Sequence, residues 1–340
     1  MKILFSSHHN PHFPTITEYI EIAIRNLGHE LLIFEDRQHI FPGRIRKRLP
    51  FINQLDQKII NRKMLALADD AKPKIAIIAG GHRIAAQTIR HLKRIGVVSV
   101  LWTIDAPGYF EPIIEAAPFY DHIFCQGTEA IELLDKAGIG GARWLPMACD
   151  PDCHHPVSCT PDEQKKYGSD VVFVGSYYPR RAALFEPLAG LDFCDFSIWG
   201  PGWDTLPAAS PLRKNIKGLH TRPDEWLRIY SASKIVLSVH YQDPQCKIPV
   251  YQASPRVFEI LACGAFQLCD DQRDVFVLFQ DGHDLVKFTD RHDLVAKVQY
   301  YLAHSEVSRA IAAQGGETVL AWHTYQVRIR ELLKKIGYEC

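Results

Sequence analysis

The chain of 340 residues lacks several features that would assign it to a special class. It has no surplus charge, with 39 Lys and Arg residues against 39 Asp and Glu residues, which argues against nucleic acid as its main partner. No run approaches the roughly 18 apolar residues that a membrane-spanning helix needs. Its first residues, MKILFSSHHN, are typical of a strand and lack the apolar core of a signal peptide. We therefore expect a globular cytoplasmic protein.

Cysteine is scattered rather than arranged in a repeated spacing. Several of the nine cysteines, such as Cys125, Cys194 and Cys269, fall in apolar strand-like runs, which is typical of reduced thiols. One cluster has the spacing C-x3-C-H-H-x3-C, which is not a usual zinc pattern. We predict free thiols and no metal site, and leave structural zinc as the alternative for this cluster of Cys149, Cys153, His154 and Cys159.

Short apolar runs alternate with helical patterns along the whole chain. Lys2–Ser6, Glu30–Phe34 and Lys74–Ala79 are predicted strands, and Thr15–Leu27 is a predicted amphipathic helix. The alternation begins again at Asp170–Gly175. This order is typical of two doubly wound α/β units with parallel sheets, whose ligands bind beyond the carboxyl ends of the strands.

The predicted boundaries follow from where this pattern breaks. Trp144–Tyr167 contains four prolines and no sustained apolar period, which indicates an interdomain connection. We predict an N-terminal Rossmann-like domain over residues 1–150, a linker over 151–168 and a C-terminal Rossmann-like domain over 169–320. Residues 321–340 are predicted to form a C-terminal helix.

The stretch ASPRVFEILACGAFQLCDD, Ala253–Asp271, is the most informative part of the chain. Ser254 is a good N-cap and Pro255 suits the first helical position, so a helix should begin here and stop at Gly264 before a buried strand. The start of a helix collects unpaired backbone N–H groups and the positive end of the helix dipole, which attract phosphate. Arg256 lies in this first turn, and Glu259 could accept hydrogen bonds from a ribose. The alternative is an ordinary surface Arg–Glu pair.

Six further segments strengthen the interpretation of this stretch. RVFEILACGAF resembles the nucleotide-sugar-binding helix of GT-B glycosyltransferases, and in particular of the CgeB-like spore-maturation family. The same resemblance recurs, in the same order along the chain, in VLWTIDAP, YDHIFCQG, RWLPMACDP, DVVFVGSYYPRR, SIWGPGW and HTYQVRIRELL. It implies a GT-B fold, with two Rossmann-like domains facing across a cleft, the N-terminal one binding the acceptor and the C-terminal one the donor. It also implies that the last helix packs back on the N-terminal domain.

The resemblance also implies roles for individual residues. Gly175 and Ser176 would let the backbone approach a diphosphate, and Arg180, or Arg181 if the loop is turned by one position, would neutralise it. Trp199 and Gly200 would lie near the nucleobase. No cofactor or metal is required, because a nucleoside-diphosphate sugar is the donor substrate. The implied donor site is Gly175, Ser176, Arg180, Trp199, Gly200, His240, Ser254, Arg256 and Glu259, for which the alternative is a set of structural glycines and surface charges.

The catalytic step is less well defined by the sequence. Many retaining GT-B enzymes carry a second Glu eight residues upstream, and Tyr251 occupies that position here. The stereochemical outcome is therefore left open. An inverting enzyme needs a general base in the N-terminal domain. Our candidates are His9 and Asp105, with His8 and His12 in the same loop as His9.

Two alternatives remain open at this stage. The first concerns IFPGRIRKRLPFI, where Arg44, Arg46, Lys47 and Arg48 alternate with apolar residues. This segment could make a weak peripheral membrane contact, or it could be a solvated loop. The second concerns function, because a non-catalytic nucleotide-sugar-binding module or a nucleotide-sugar epimerase would carry the same donor helix.

Overall fold

A computed structural model describes residues 1–104, 110–243 and 248–338. Two structural units divide the chain. Unit 1 comprises Met1–Pro146, Asp243–Gln252 and Tyr325–Cys340, and unit 2 comprises Met147–Gln242 and Ala253–Thr324. Residues 151–168 therefore belong to unit 2, and unit 1 is assembled from three separate segments of the chain.

Unit 1 is built on a parallel sheet with the strand order β2-β1-β3-β4-β5-β6. Apolar runs such as IAIIA, which is buried along its whole length, form these strands because helices cover both faces of the sheet. The strands are β1 Lys2–Ser7, β2 Glu30–Glu35, β3 Ile75–Ala79, β4 Val98–Thr103, β5 His122–Cys125 and β6 Arg143–Trp144.

Seven helices belong to unit 1 in the described part of the chain. They are α1 Ile16–Asn26, α2 Gly43–Arg48, α3 Pro50–Ala71, α4 Ala86–Arg94, α5 Glu111–Ala116, α6 Thr128–Lys136 and, from the C-terminal segment, α14 Tyr325–Lys335. Helix α14 packs against α1, where the rings of Tyr19 and Tyr325 stack with centroids 6.2 Å apart. Arg328 of α14 also donates to the carbonyl of Pro146 at 2.9 Å. The last helix is thus an integral part of unit 1.

Unit 2 repeats the plan with a second parallel sheet, in the order β12-β11-β10-β7-β8-β9. Phe173 and Ile198 pack into the core on one face of this sheet, and Val172 and Trp199 into the core on the other. Its strands are β7 Val171–Val174, β8 Phe196–Trp199, β9 Ile216–Gly218, β10 Ile235–Ser238, β11 Gln267–Asp270 and β12 Val286–Phe288. The predicted architecture of two doubly wound parallel sheets is therefore confirmed.

The helices of unit 2 lie on both faces of that sheet. They are α7 Pro161–Tyr167, α8 Pro179–Phe185, α9 Pro223–Ala232, α10 Pro255–Ala262, α11 Val275–Leu278, α12 Arg291–Ala303 and α13 Ser305–Trp322. Helices α8, α12 and α13 pack into one core, and α9 and α10 pack into the other. Helix α10 begins after the N-cap Ser254, as the sequence predicts. Within the described residues, no helix is both long and apolar enough to cross a bilayer.

Candidate functional site

The strand order of unit 2 reverses between β7 and β10, which are hydrogen-bonded neighbours although they are not consecutive in the chain. Ligands of doubly wound sheets bind at such a switch point, beyond the carboxyl ends of the strands. Gly175 and Ser176 follow β7 here, and Val239 and His240 follow β10. Helix α10 contributes its first turn to the same place, because Ser254 bonds to His240 and Arg256 lies against Gly175.

Gly175 is the point where the backbone and the Arg256 guanidinium come together. A Cβ atom added to Gly175 would lie 2.8 Å from Nη1 of Arg256 and 2.9 Å from the ring of Phe173. Only glycine therefore leaves room for the guanidinium at the end of β7. The carbonyl of Gly175 is turned away from this point, since it accepts a hydrogen bond from Nε1 of Trp203 at 2.8 Å.

Ser176 presents donors at the same position. Its carbonyl accepts a hydrogen bond from Nη1 of Arg181 at 2.8 Å. In the described structure its amide and its hydroxyl have no hydrogen-bond partner. These two donors next to a guanidinium have the chemistry of a phosphate subsite.

The first turn of α10 supplies fewer open amides than the sequence predicts. Pro255 has no N–H, the amide of Arg256 donates to the Ser254 hydroxyl at 3.4 Å, and the amide of Val257 donates to the Ser254 carbonyl at 3.0 Å. Attraction for an anion at this helix start therefore comes mainly from the Arg256 side chain and the helix dipole. This differs from the expectation of several unpaired N–H groups.

His240 fixes the position of the helix start. Its side chain is buried, its Nδ1 lies 2.6 Å from Oδ1 of Asp270, and its Nε2 lies 3.1 Å from the amide of Ser254. Because the amide of Ser254 donates to Nε2, Nδ1 is the nitrogen that donates to Asp270. Both ring nitrogens are therefore engaged within the protein, and the direct contact of His240 with the donor stays a prediction.

Asp270, at the end of β11, is a residue that the sequence analysis missed. It is buried, accepts from both the backbone and the ring of His240, and forms an ion pair with Nη1 of Arg180 at 3.1 Å. Burial acts to raise the pKa of Asp270, but the interactions with His240 and Arg180 outweigh it and hold the pKa below its ordinary value. The carboxylate thus ties three strand-end loops together. The signal for it was the pair Asp270–Asp271 directly after an apolar strand.

The two consecutive arginines of α8 have different positions. Arg180 is partly exposed beside its Asp270 partner, whereas Arg181 is buried and donates to the carbonyls of Val239 and Ser176. Burial and the nearby Arg256 guanidinium lower the pKa of Arg181 to about 10. Arg181, the alternative anion ligand, is therefore a structural clamp of the switch point. Arg180 keeps a side chain that can reach solvent.

Glu259 lies one turn after Arg256 and is 9% exposed. Its Oε1 is 3.9 Å from Nε2 of His154, which is longer than a hydrogen bond. The hydroxyl of Tyr230 is buried nearby, in the electrostatic field of both Arg256 and Glu259. A largely buried carboxylate that makes no short hydrogen bond keeps acceptor capacity for the hydroxyls of a ligand.

Trp199 and Gly200 lie at the carboxyl end of β8. The Trp199 ring is 6% exposed and packs in the core against Tyr167, with the ring centroids 5.8 Å apart. Ile198 and Trp199 point to opposite faces of the sheet, and both faces are covered. The place of Trp199 near a nucleobase stays a prediction. The amide of Gly200 is held by the carbonyl of Gly218 at 2.8 Å, so its backbone alone remains at the strand end.

Potential metal ligands are engaged in hydrogen bonds. In the described ranges, one group of three metal-capable side chains has donor atoms within 4.8 Å of one another, namely His240, Cys269 and Asp270. Two members of this group, His240 and Asp270, are hydrogen-bonded to each other, and His240 is also hydrogen-bonded to Ser254. The cysteine cluster of residues 149–159 forms no such group, and Cys149 and Cys159 point their thiols at backbone carbonyls.

In unit 1, His9 lies in the loop after β1 and is held between two carboxylates. Its Nε2 is 2.6 Å from Glu21 and its Nδ1 is 2.9 Å from Glu35, whose carboxylate also accepts the His9 amide at 2.7 Å. Burial alone would lower the pKa of His9, but the hydrogen bonds and charges of the two glutamates raise it overall. Both ring nitrogens of His9 are thus engaged by carboxylates, and its role as general base stays a prediction.

The other candidate bases are one residue outside the described part of the chain, two exposed histidines and a buried carboxylate. Asp105 lies outside the described residues. His8 is exposed with Nδ1 3.3 Å from Glu35, and His12 is exposed as well. Asp36, which the sequence analysis missed, is buried after β2 and accepts a hydrogen bond from Ser6 at 3.0 Å. Burial raises the pKa of Asp36 to about 6, which is suitable for proton transfer near neutral pH.

Comparison of the sequence with known proteins finds a matching family and a curated relative. Residues 180–334 match the family described as "Glycosyl transferase-like". The spore protein CgeB of Bacillus subtilis (strain 168) is 21% identical over 261 residues, which cover 74% of this chain and 79% of CgeB.

Solved structures of similar fold cover nearly the whole chain. Sucrose-phosphate synthase from Thermosynechococcus elongatus superposes with a TM-score of 0.67 at 12% identity, over 98% of both chains. HepE from Anabaena, solved in complex with UDP-glucose, superposes with a TM-score of 0.66 at 10% identity, over 99% of both chains. At these identities the superpositions establish the fold.

Proposed function

We propose that this chain, which resembles glycosyltransferases over residues 180–334 and is 21% identical to the spore protein CgeB, moves a sugar from a nucleoside-diphosphate sugar to an acceptor hydroxyl. The observation that carries this proposal is the Arg256 guanidinium beside Gly175 at the β7–β10 switch point, where α10 begins. Unit 2 binds the donor in this proposal, and unit 1 binds the acceptor.

The diphosphate is the part of the donor that this place suits best. Departure of a nucleoside diphosphate develops about two negative charges, and stabilising them is the main electrostatic task of the site. Arg256, the partly exposed Arg180 and the dipole of α10 provide positive potential, and the amide and hydroxyl of Ser176 provide donors. With these groups the transfer needs no metal ion.

The remaining donor contacts follow from the same helix. Glu259 accepts hydrogen bonds from the ribose hydroxyls, and Gly200 lies nearest the nucleobase through its backbone. His240 and Asp270 hold Ser254, and therefore the start of α10, against the switch point. Their substitution should weaken binding through misplacement of Arg256.

Activation of the acceptor is assigned to a carboxylate of unit 1. Asp36 has a pKa of about 6 and lies at the carboxyl edge of the sheet, so it can be ionised at neutral pH and accept a proton. Asp105 and His9 remain the sequence-based alternatives. Whether the sugar is transferred with retention or inversion is left open, because Tyr251 replaces the upstream Glu of many retaining enzymes.

The first test is donor binding by the purified chain. UDP and UDP-glucose are the first ligands to try, because HepE was solved with UDP-glucose. A nucleotide at a hundred times its Kd should raise the free energy of unfolding by about 2.7 kcal/mol. Arg256→Gln should weaken its binding by at least about tenfold, because a charge-assisted hydrogen bond is lost. Glu259→Gln should weaken binding of the nucleotide but leave binding of pyrophosphate unchanged.

Two variants serve as matched controls. Arg291 also occupies the first turn of a helix in unit 2, and Glu317 is an exposed glutamate of α13. Arg291→Gln and Glu317→Gln should bind the nucleotide like the unaltered chain. If no nucleoside diphosphate binds, or if Arg256→Gln and Arg291→Gln behave alike, the switch point is not the donor site.

Turnover then separates transfer from the alternatives. A transferase releases nucleoside diphosphate in proportion to acceptor and does so in the presence of a chelator. An epimerase converts the sugar without an acceptor, and a binding module releases nothing. A dependence on added divalent cation would contradict the metal-independent mechanism.

A further inference from the structure

One segment of unit 1 concentrates the positive charge of a chain that is neutral overall. Residues 39–64 contain seven Lys and Arg residues and a single acidic residue, Asp56. Asp56 is 1% exposed and is bound to His39 at 2.8 Å and to Arg83 at 3.0 Å. Its charge is therefore neutralised inside the protein. The surface of α2 and of α3 up to Met64 is left with an excess of positively charged side chains.

The same surface exposes large apolar side chains. Phe51 is 62% exposed and Leu55 is 44% exposed, and they lie one turn apart on α3. Lys58 and Arg62 follow on the same side of the helix and are exposed. The opposite side of α3 holds Ile60 and other residues of the unit 1 core. Helix α3 is therefore packed against the core on one side, and Phe51 and Leu55 are exposed because they lie on its other side.

Helix α2 adds cations beside this apolar pair. Arg44 and Arg48 are exposed, while Arg46 donates from Nε to the carbonyl of Phe41 at 2.9 Å and so orders the turn before α2. The side chain of Lys47 lies outside what the structure describes. We name the basic-apolar face by its six exposed residues, Arg44, Arg48, Phe51, Leu55, Lys58 and Arg62.

We propose that the basic-apolar face docks unit 1 onto the surface of a bilayer that contains anionic phospholipids. Juxtaposed cations are attracted to the negative surface potential, and aromatic and aliphatic side chains between them enter the boundary between headgroups and acyl chains. A purely polyanionic partner would use the cations alone and gain nothing from exposed Phe51 and Leu55. The combination distinguishes a lipid surface from such a partner. This inference goes beyond donor binding and does not depend on turnover.

The test is co-sedimentation of the full chain with vesicles. Phosphatidylcholine vesicles should bind little, whereas vesicles with one lipid in three replaced by phosphatidylglycerol should bind well at low salt and less at high salt. Arg44→Gln with Arg48→Gln should weaken binding by about tenfold, since each cation contributes measurably at an anionic surface. Phe51→Ser with Leu55→Ser should weaken it to a similar extent while leaving the charge unchanged.

The matched controls come from unit 2. Lys214→Gln with Lys217→Gln removes the same charge from exposed positions, and Val277→Ser removes an apolar side chain that is 67% exposed. Both controls should bind like the unaltered chain, and thermal unfolding followed by circular dichroism should show that every variant is folded. Absence of binding to anionic vesicles would overturn the proposal. So would equal losses in test and control variants. Retention of binding by the Phe51 and Leu55 variant, with full competition by heparin, would identify a polyanion site instead.

Discussion

At the scale of single residues, the His9 clamp makes a pH-dependent contribution to stability. His9 donates to Glu21 and Glu35, and its pKa is raised above the ordinary value of about 6.5. A raised histidine pKa contributes stability that is fully present below the unfolded-state pKa and is lost as the pH rises through the folded-state pKa. His9→Gln should therefore lower the free energy of unfolding by about 2 kcal/mol at pH 6, and by less at pH 9.

Chemical denaturation at the two pH values measures this difference. His12→Gln is the control, because His12 lies in the same loop but its ring is exposed and makes no hydrogen bond in the described structure. An NMR titration of the unaltered chain should show a His9 resonance with a pKa above the ordinary histidine value of about 6.5. Equal effects of His9→Gln at both pH values would mean that the ring is not held as an imidazolium.

Asp36 also makes the chain less stable as the pH rises, but it does so in a lower pH window and by destabilising the folded state once it ionises. Burial raises its pKa from about 3.9 in an unfolded chain to about 6, so the folded state binds more protons between these values. Stability is consequently lost as the pH rises through this window, by up to about 3 kcal/mol. Asp36→Asn should be more stable than the unaltered chain at pH 8, and the difference should vanish near pH 4. If Asp36 is also the general base, the same variant should bind the donor and fail to turn over.

The comparison that checks Asp36 uses a carboxylate whose pKa is lowered instead. Asp121 accepts hydrogen bonds from Ser99 and forms an ion pair with Lys93 at 3.1 Å. Asp121→Asn should be less stable than the unaltered chain at pH 8. An Asp36→Asn variant that is destabilised at pH 8 would show that Asp36 is buried as a satisfied carboxylate.

At the scale of elements, α13 shows why a glycine pair need not end a helix. Glycine disfavours a helix interior, yet α13 runs without interruption from Ser305 to Trp322 through Gly315 and Gly316. A Cβ atom on Gly315 would lie 2.1 Å from the carbonyl of Asp284 and 2.8 Å from Leu261. Gly315 is needed for close packing of α13 on its neighbours. That requirement is tertiary and is not visible in the local sequence.

The two glycines can be tested against each other. In a helix interior, alanine is more stabilising than glycine by roughly 0.5–1 kcal/mol. Because this difference applies to both positions, only packing should distinguish Gly315→Ala from Gly316→Ala. Gly315→Ala should lower the free energy of unfolding by about 2 kcal/mol, as overpacked cores do. Gly316→Ala, whose Cβ would lie 3.4 Å from the Leu261 carbonyl, should be neutral or stabilising. Similar effects of both changes would contradict the close approach, and thermal unfolding of the two variants decides.

Local signals predict some elements well and leave others hidden. The Ser254-Pro255 start of α10 is predicted because its capping chemistry lies within a few residues. Helix α7 carries the same kind of signal, a capping box between Thr160 and Glu163, but the surrounding prolines favoured a loop. The His240–Asp270–Ser254 contacts join residues up to 30 positions apart. Such contacts depend on the order of the strands in the sheet. The sequence pattern predicts a doubly wound parallel sheet but not that order.

At the largest scale, each of the two structural units is assembled from segments that are not contiguous in the sequence. Unit 1 takes its last helix, α14, from the C-terminal segment and also includes the segment Asp243–Gln252. Alternating strands and helices predict the two sheets, because each βα unit is local. They do not predict which later segment completes which unit. That depends on packing such as the α1–α14 contact, which joins residues more than 300 positions apart.

The contribution of α14 to unit 1 gives the last prediction. Leu332 is fully buried in α14, so Leu332→Ala should lower the free energy of unfolding by about 2–5 kcal/mol through lost burial and a residual cavity. Hydrogen exchange followed by mass spectrometry should then show faster exchange in α1 and β1–β3, with the strands of unit 2 unchanged. Leu320→Ala, at a half-exposed position of α13, is the matched control and should leave both patterns intact. Faster exchange confined to unit 2 in Leu332→Ala would contradict the assignment of α14 to unit 1.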